Sequence, residues 1–429
     1  MTLDEWVVLT IFAFSYVLIF SEKVHRATAA LLGALLVVGY LMTQNELSEG
    51  EALAVVEFDL ILLLFGMMVV VGVLAETGFF SFVAVAASQR SKGNAWVLLC
   101  FLALATGFLS MVVDNLTTII LMVPVTMEIA TTLEIDPVPL LLSEAMISNI
   151  GGVGTMVGDP PNVVIASYTE LGFNDFIIHL MPPVLLTMLI SLIILRVVYH
   201  KWIHSVSSSV SKIMEKDPYE EITDPAAMKR TLVILGLTVL LFIGHDFLGI
   251  SPAMVALIGA TATLLVNLAD PERIMHQVEW SALLFFAGLF VLIGCVDKVG
   301  LLKEVAAWIE GHAGNDALLA TLLILWISAV LTAFVDNIPM TMAMAPVILH
   351  MGDMGFEANP LWWALALGVG FGGNATPIGS SAGIIAVGLS ERSGFPISLK
   401  DWMKVGIPLT LVGLLISTLF FVLFFNFFK

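Results

Sequence analysis

Two aspartate–asparagine pairs lie deep inside apolar sequence. Asp114–Asn115 occurs in SMVVDNLTTIILMVPV, and Asp336–Asn337 occurs in TAFVDNIPMTMAMAPV, at an offset of 222 residues (336 − 114). An acid at membrane depth costs several kcal/mol and usually marks a substrate or ion pathway. Carboxylate, amide and hydroxyl oxygens suit a hard cation such as Na⁺. We therefore predict two ion sites with these residues: Asp114, Asn115, Thr117 and Thr118 in the first, and Asp336, Asn337 and Thr341 in the second.

A structural role for the aspartates has to be weighed against this prediction. Asp and Asn are favoured at helix N-caps, so each pair could simply begin a helix. Capping and ion binding are compatible, and the repetition of the pair favours a functional site. The second pair has Pro339 where the first has a threonine, so the two sites are related but unequal.

Glycine-rich segments follow both pairs, with the sequences NIGGVGTMVGDPPN and GGNATPIGSS. Glycines allow close backbone approach, and prolines end a helix and free carbonyl groups. Such backbone is tolerated in a membrane only where it is buried or lines a cavity. We interpret each segment as a helix broken inside the membrane, although a kink for helix packing alone is the alternative. The predicted binding residues are Asn149, Gly151, Thr155, Asp159 and Asn162, and then Asn374, Thr376 and Ser380.

The acids differ between the two segments. Asp159 matches Ser380, and Glu144 matches Ala366. Desolvation favours the protonated form of an acid, which allows it to exchange a proton for a cation. We predict Asp114, Asp336 and Asp159 as proton carriers, with Na⁺ at the two Asp–Asn pairs. Glu144 is a weaker candidate.

Composition defines the class of protein. The chain has 429 residues, of which 59% are hydrophobic and 12% charged, against about 25% charged in a soluble domain. Apolar stretches of about 20 residues recur along the chain, as in a multi-pass membrane protein. The net charge of −18 argues against nucleic acid as a partner. We expect the lipid bilayer and small inorganic ions as partners, and no cofactor.

The internal repeat predicts the architecture. Gly66, Gly72 and Gly78 recur as Gly288, Gly294 and Gly300 at the same offset, and a sustained offset indicates a duplicated unit. We predict an all-α membrane protein with two inverted repeats, each with five spanning helices, a re-entrant hairpin and a broken helix. The first repeat covers residues 1–200, a cytoplasmic linker covers 201–228, and the second repeat covers 229–429.

Charge placement sets the predicted orientation. With the linker in the cytoplasm and the N-terminus outside, 14 of the 17 basic residues fall on the cytoplasmic side, in agreement with the positive-inside rule. This predicts a protein of the cell (inner) membrane. Trp362, Trp363 and Trp402 are interpreted as part of an aromatic belt at the membrane surface.

The motifs DNLTT and NIGGVGTMVGDPPNVVIAS resemble those of the arsenite permease and sodium/proton antiporter family (ArsB/NhaD type). This family includes the melanosomal P protein and lies in the wider ion transporter superfamily. The resemblance is strongest at residues 105–167 and 327–390. It implies a homodimer with a scaffold domain and a moving transport domain, and an elevator mechanism. In the dicarboxylate branch the hairpin tips carry Ser-Asn-Thr, so the acids at 114 and 336 disfavour an anionic substrate.

We therefore predict a secondary Na⁺/H⁺ antiporter rather than an enzyme. Proton-driven efflux of arsenite or a related metalloid is the alternative, and a sodium-coupled anion transporter is a weaker one. A channel would differ by its kinetics, because a transporter saturates at low turnover. An intramembrane aspartyl protease would need Gly-x-Gly-Asp, and Met156 stands where the first glycine is required.

Overall fold

The computed structural model describes residues 2–21, 23–92, 94–206, 217–314 and 316–429. Within these ranges the regular secondary structure is helical. The first half contains α1 Leu3–Ser21, α2 Arg26–Thr43, α3 Glu49–Ala54, α4 Phe58–Glu76, α5 Phe79–Arg90, α6 Ala95–Ser110, α7 Asn115–Leu133, α8 Val138–Gly152, α9 Pro160–Ser167 and α10 Phe173–Val198.

The second half follows a short helix, α11 His200–Val206, and a 3₁₀ turn, Pro218–Glu221. Residues 207–216 of the predicted linker lie outside the described residues. The second half contains α12 Pro225–Leu248, α13 Pro252–Asn267, α14 Pro271–Met275, α15 Trp280–Lys298, α16 Leu301–Ala313, α17 Ala317–Thr332, α18 Asn337–Asp353, α19 Ala358–Gly372, α20 Ser381–Arg392 and α21 Leu399–Phe424.

The two halves have the same helices in the same order. α4 and α15 begin 222 residues apart (280 − 58), and so do α7 and α18 (337 − 115). Two short helices that were not predicted, α5 and α16, begin directly after Gly78 and Gly300. Both glycines have left-handed backbone, with φ of 81° and 88°, a conformation that glycine adopts at little cost. The repeated glycines therefore mark a repeated sharp turn before a short helix.

Seven of the described helices are long and apolar enough to cross a membrane: α2, α4, α7, α10, α12, α15 and α21 with the turn that follows it. Large apolar side chains such as Leu35, Leu189 and Leu240 are exposed on them. In a membrane these faces contact lipid chains, which are as apolar as leucine. The chain is thus an all-α multi-pass membrane protein, as the sequence predicts.

Each Asp–Asn pair lies in a short turn between two helices. The first turn joins α6 to α7, and the second joins α17 to α18. Gly151 of α8 packs so closely on the Gly107 carbonyl of α6 that a Cβ atom would clash there. Gly372 of α19 packs in the same way on Ala329 of α17. These close approaches hold the helix before each turn beside the helix that leads to each break.

Helices of one half also pack against those of the other. α2 packs on α15 and α4 packs on α13. At these crossings a Cβ atom on Gly66 would lie 2.7 Å from the Ala256 carbonyl carbon, and one on Gly288 would lie 2.9 Å from that of Ala30. Further along the chain, α7 packs on α20 and α18 packs on α9. Each helix that starts at an Asp–Asn pair therefore meets the broken segment of the opposite half.

Candidate functional site

The aspartate of each pair caps the helix that follows it. The Asp114 carboxylate accepts hydrogen bonds from the Thr117 backbone N–H (2.9 Å) and hydroxyl (2.6 Å). The Asp336 carboxylate accepts one from the Ile338 N–H at 3.4 Å. Both acids are largely buried, with exposed fractions of 9% and 7%. Both aspartates therefore do cap their helices, and capping fixes each carboxylate at a helix N-terminus.

The breaks are tied to the hairpin turns by equivalent threonines. The Thr155 hydroxyl donates to the Met111 carbonyl, and the Thr376 hydroxyl donates to the Ala333 carbonyl. Each donor follows the end of α8 or α19, and each acceptor lies in the turn that precedes the Asp–Asn pair. These two predicted site residues thus hold turn and break together in both halves.

Asp159 lies where the two halves meet. Its Oδ1 atom accepts hydrogen bonds from the side-chain amides of Asn115 and Asn337, both at 3.1 Å. Asp159 is 1% exposed, and it occupies the N-cap position of α9 without making a side-chain cap bond. The asparagines of both pairs are therefore joined through one carboxylate that only the first half supplies.

A chain of amides extends from this point. The Asn149 amide accepts from Asn115 (3.1 Å) and donates to Asn374 Oδ1 (2.9 Å) and to the Ser380 hydroxyl (2.8 Å). All these side chains are buried. Buried polar groups are costly unless they are bonded, so the chain makes the two breaks and the two turns mutually dependent. It joins six of the predicted residues: Asn115, Asn149, Asp159, Asn337, Asn374 and Ser380.

Asp336 has a basic neighbour. The Arg26 guanidinium donates to the Ser381 hydroxyl at 2.9 Å, and its Nη1 atom lies 4.0 Å from Asp336 Oδ2. The Ser381 hydroxyl in turn donates to Asp336. Arg26 begins α2, and α13, the corresponding helix of the second half, begins at Pro252. The two Asp–Asn sites consequently have different electrostatic surroundings.

A small cavity of about 10 Å³ lies between the two turns. Its lining includes the first residues of four helices: Asn115 of α7, Pro160 of α9, Asn337 of α18 and Ser381 of α20. Asp114 and Arg26 also line it. A cavity of this size holds about one water molecule. A second cavity of about 280 Å³ lies beside it, lined by His25, Arg26, Asp336 and Ser381 among others.

Other predicted residues bond outside the chain of amides. The Thr118 hydroxyl donates to the Val113 carbonyl, and the Thr341 hydroxyl donates to the Asn337 carbonyl. The Asn162 amide donates to two carbonyls of the break, those of Val153 and Thr155. Thr117 bonds Asp114, and Gly151 provides a packing contact. These residues shape the turns and breaks, and their role in ion binding stays a prediction.

Arg26, Ser381 and Trp402 were not among the predicted binding residues, although Ser381 belongs to the predicted second break. Trp402 is fully buried and its indole N–H donates to the Asn374 carbonyl at 2.9 Å. The interpretation of Trp362, Trp363 and Trp402 as a surface belt is therefore wrong, since all three are buried. Their sequence context is typical of tryptophans at a membrane surface, and only the packing of the helices shows that they are buried in the protein. Arg26 stands at the start of an apolar helix. That position is equally typical of a basic residue at the cytoplasmic membrane surface, so the sequence did not distinguish a site residue from a surface charge.

The described residues contain no group of three or more His, Cys, Asp or Glu side chains placed to hold a metal ion together. Asp114 lines the small cavity, Asp159 is bonded to two of its lining residues, and Asp336 lines the larger cavity beside it, so the three acids do not form such a cluster. A Na⁺ ion there would have to take amide, hydroxyl and carbonyl oxygens as well as carboxylates. The predicted Na⁺ positions at the two Asp–Asn pairs stay a prediction.

Turns and breaks that meet within an all-helical membrane protein define a transport protein. The profile of the family described as "citrate transporter" matches residues 16–368 of the chain. The chain belongs to this family, and it is a secondary transporter rather than an enzyme.

Its relatives agree with this class. The chain is 35% identical to an uncharacterized transporter of Mycobacterium bovis, over 96% of this chain and 97% of the relative. It is 33% identical to a 46 kDa membrane protein of Mycobacterium leprae, with the same coverage. It is 31% identical to the P protein of Sus scrofa, over 94% of this chain and 57% of that protein. The expected similarity to the P protein is therefore present, and the ArsB/NhaD type itself stays a prediction.

A solved structure supports the fold. The crystal structure of the Alcanivorax borkumensis YdaH transporter, described as having an unusual topology, aligns with a TM-score of 0.59. The alignment covers 94% of this chain and 99% of that chain at 14% identity. At this identity the similarity concerns the fold alone.

Proposed function

We propose that this protein is a Na⁺/H⁺ antiporter of the ArsB/NhaD type. The observation that carries the proposal is that Asp114 lines a cavity of about 10 Å³ together with Asn115 and Asn337, the two asparagines that bond the Asp159 carboxylate. A space of this size fits one small ion or one water molecule. Citrate has thirteen non-hydrogen atoms and does not fit there. The small cavity therefore favours an inorganic cation over an organic anion.

The acids do more than capping requires. α20 begins at the same cavity, and Ser380 caps it with a neutral hydroxyl that accepts from the Gly383 N–H. Asp159 makes no side-chain cap bond. Since serine and aspartate cap helices about equally well, stability alone does not explain three carboxylates. Their charge serves the transported ion.

Charge balance suits exchange of a cation for a proton. The four helix N-termini contribute roughly half a positive charge each, and Arg26 adds one. Three ionised carboxylates offset these charges almost completely. One bound Na⁺ or one bound proton then gives the site the same net charge. Ions that compete for the same carboxylates in this way are transported in opposite directions.

A carboxylate anion is the second candidate. Arg26, His25 and Ser381 line the cavity of about 280 Å³, which is close to the lower limit for small-molecule sites. Arginine binds carboxylates well because of its planar, multiple donors. The family description also names citrate. An anion in this cavity would need protonated acids nearby, so it would move together with protons.

We infer the remaining architecture from the packing. α1, α2, α4, α12, α13 and α15 pack among themselves across the two halves, whereas α6–α9 and α17–α20 carry the turns and breaks. The first group suits a scaffold and the second a moving transport domain in an elevator mechanism. The same proposal includes two inverted repeats at 1–200 and 229–429, joined by a cytoplasmic linker. It also includes an N-terminus outside the inner membrane and a homodimer.

The direction of proton movement tests the proposal. The purified protein is placed in liposomes that contain a pH-sensitive dye, with the membrane potential clamped. An inward Na⁺ gradient should make the interior alkaline, because protons leave as Na⁺ enters. External citrate should have no effect. Acidification on addition of citrate would instead support the anion symporter, and a response to arsenite alone would support metalloid transport.

Asp159→Asn provides the matching variant. Asparagine has neither the negative charge nor the exchangeable proton of aspartate, so the initial rate of the Na⁺-driven pH change should fall by about a hundredfold, equivalent to nearly 3 kcal/mol. Asp353→Asn is the control, since Asp353 is exposed at the end of α18. Wild-type exchange in Asp159→Asn would exclude Asp159 as an ion or proton carrier.

A further inference from the structure

Glu144 is a fully buried acid that lies outside the small cavity. It belongs to α8, and its exposed fraction is 0%. Its Oε1 atom accepts hydrogen bonds from the hydroxyls of Thr126 (2.8 Å) and Thr106 (3.5 Å), and its Oε2 atom has no hydrogen-bond partner. Its bonding partners are therefore neutral hydroxyls from α7 and α6.

The helices around α8 supply no buried countercharge. α6, α9 and α19 carry no charged residue. The charged and titratable residues on α7, α10, α20 and α21 are all at least partly exposed: Glu128, Asp175, His179, Arg196, Glu391, Arg392, Lys400, Asp401 and Lys404. An unpaired carboxylate in such a place costs several kcal/mol. Glu144 is thus stable when it holds a proton.

A row of hydroxyl groups leads from Glu144 towards Asp159. Ser148 lies one turn further along the same face of α8, and Ser110 lies one turn after Thr106 on α6. The Ser148 and Ser110 hydroxyls are buried and, like Glu144 Oε2, have no hydrogen-bond partner in the described structure. Ser110 is beside the break, because a Cβ atom on Gly152 would lie 3.2 Å from its Oγ atom.

The distance from Glu144 to the break is short. The eight residues from Glu144 to Gly152 span about 12 Å along the helix. The backbone carbonyl of Ser110 also contacts Gly158, the residue before Asp159. Buried hydroxyls without protein partners commonly bind water, and hydroxyls with water can pass a proton along. The row therefore reaches from Glu144 to the break, where Gly158 directly precedes Asp159.

The second half lacks this connection. Ala366 replaces Glu144 and Gly370 replaces Ser148, although Ser328 and Thr332 match Thr106 and Ser110. The break of the second half also has Ser380 in place of Asp159. The acid on the helix and the acid at the break thus occur together in one half and are absent together from the other.

We propose that Glu144 is a proton-binding residue that exchanges its proton with Asp159 during transport. The O–H bond of Glu144 breaks, the proton passes through the hydroxyl row, and a new O–H bond forms on the Asp159 carboxylate. Glu144 becomes a carboxylate until it takes a proton from the aqueous phase. This inference rests on the proposed proton coupling of the transporter.

Two assays on the full-length protein in liposomes test this role. The first measures uptake of radioactive Na⁺ driven by a pH gradient, and the second measures exchange of Na⁺ for Na⁺ at equal pH. Glu144→Gln should lower the first rate by about tenfold or more and leave the second within about twofold of wild type. Ser148→Ala should have a smaller effect in the same direction.

The controls separate this role from a structural one. Ser328→Ala changes a matching hydroxyl in the second half and should leave both rates unchanged. Equal loss of both rates in Glu144→Gln, or retention of both, would overturn the proposal. If wild-type protein exchanges Na⁺ without any proton movement, the proposed antiport fails and this inference fails with it. Proton-coupled uptake that survives Glu144→Gln overturns the relay alone.

Discussion

The two Asp–Asn sites begin from nearly the same sequence and differ in their surroundings. The Asp114 carboxylate bonds to Thr117, within the first turn of its own helix, whereas Asp336 bonds to Ser381 and lies near Arg26. A guanidinium beside a carboxylate supplies the charge that a transported cation would supply. The comparison teaches that a duplicated motif can give two acids with different roles. The charge of one acid is available to a cation, and the charge of the other is already offset by a neighbouring arginine.

Asp114→Asn should have the largest effect of the variants that test this comparison. Asparagine caps α7 about as well as aspartate, so the variant removes charge and retains the helix. We expect the apparent Na⁺ affinity to fall by about a hundredfold, equivalent to nearly 3 kcal/mol. Na⁺-dependent transport in liposomes measures the change, and thermal unfolding in detergent checks the fold. An unchanged affinity would show that Asp114 only caps the helix.

A double-mutant cycle sharpens the comparison at the second site. Asp336→Asn leaves the Arg26 charge unpaired and should weaken Na⁺ binding by about tenfold. Arg26→Gln alone should strengthen it by a similar factor, because Asp336 then lacks its built-in cation. The double variant should return close to wild type. Arg26→Gln should give no such rescue of Asp114→Asn, and rescue of both acids equally would contradict the asymmetry.

The hydroxyl partners should give the smallest effects. Thr117→Val removes one hydrogen bond to Asp114, and Ser381→Ala removes one to Asp336. A hydrogen bond to a charged group contributes about 1.5–3 kcal/mol. We expect a larger fall in Na⁺ affinity for Thr117→Val, since Asp336 retains Arg26. Titration of transport against Na⁺ concentration measures both variants. A larger effect of Ser381→Ala would reverse the proposed ranking of the two sites.

Much of the fold follows from local patterns in the sequence. The recurring apolar stretches include α2 (Arg26–Thr43) and α4 (Phe58–Glu76), because each is continuous and long enough to span a membrane. The breaks after Gly152 and Gly372 follow from glycines and prolines at which a helix cannot continue. The short helices α5 and α16 were missed because, at 12 and 13 residues, each is too short to give the pattern of a spanning helix.

The site was predicted less completely. Asp159 was singled out as an acid that its matching segment lacks, yet its bonds to both Asn115 and Asn337 could not be foreseen from one half of the chain. Trp402 was misplaced because a tryptophan near a helix start suits both a membrane surface and a buried hydrogen bond.

The sequence by itself determined the class of protein, the duplicated plan and the acids available for chemistry. These depend on hydropathy, periodicity and residue type, which are local properties of the chain. Only the tertiary structure decided which asparagines bond Asp159, that one cavity holds about a single water and that Arg26 lies beside Asp336. The physical reason is that distance sets electrostatic interaction and cavity size, and residues hundreds of positions apart become neighbours only when the helices pack.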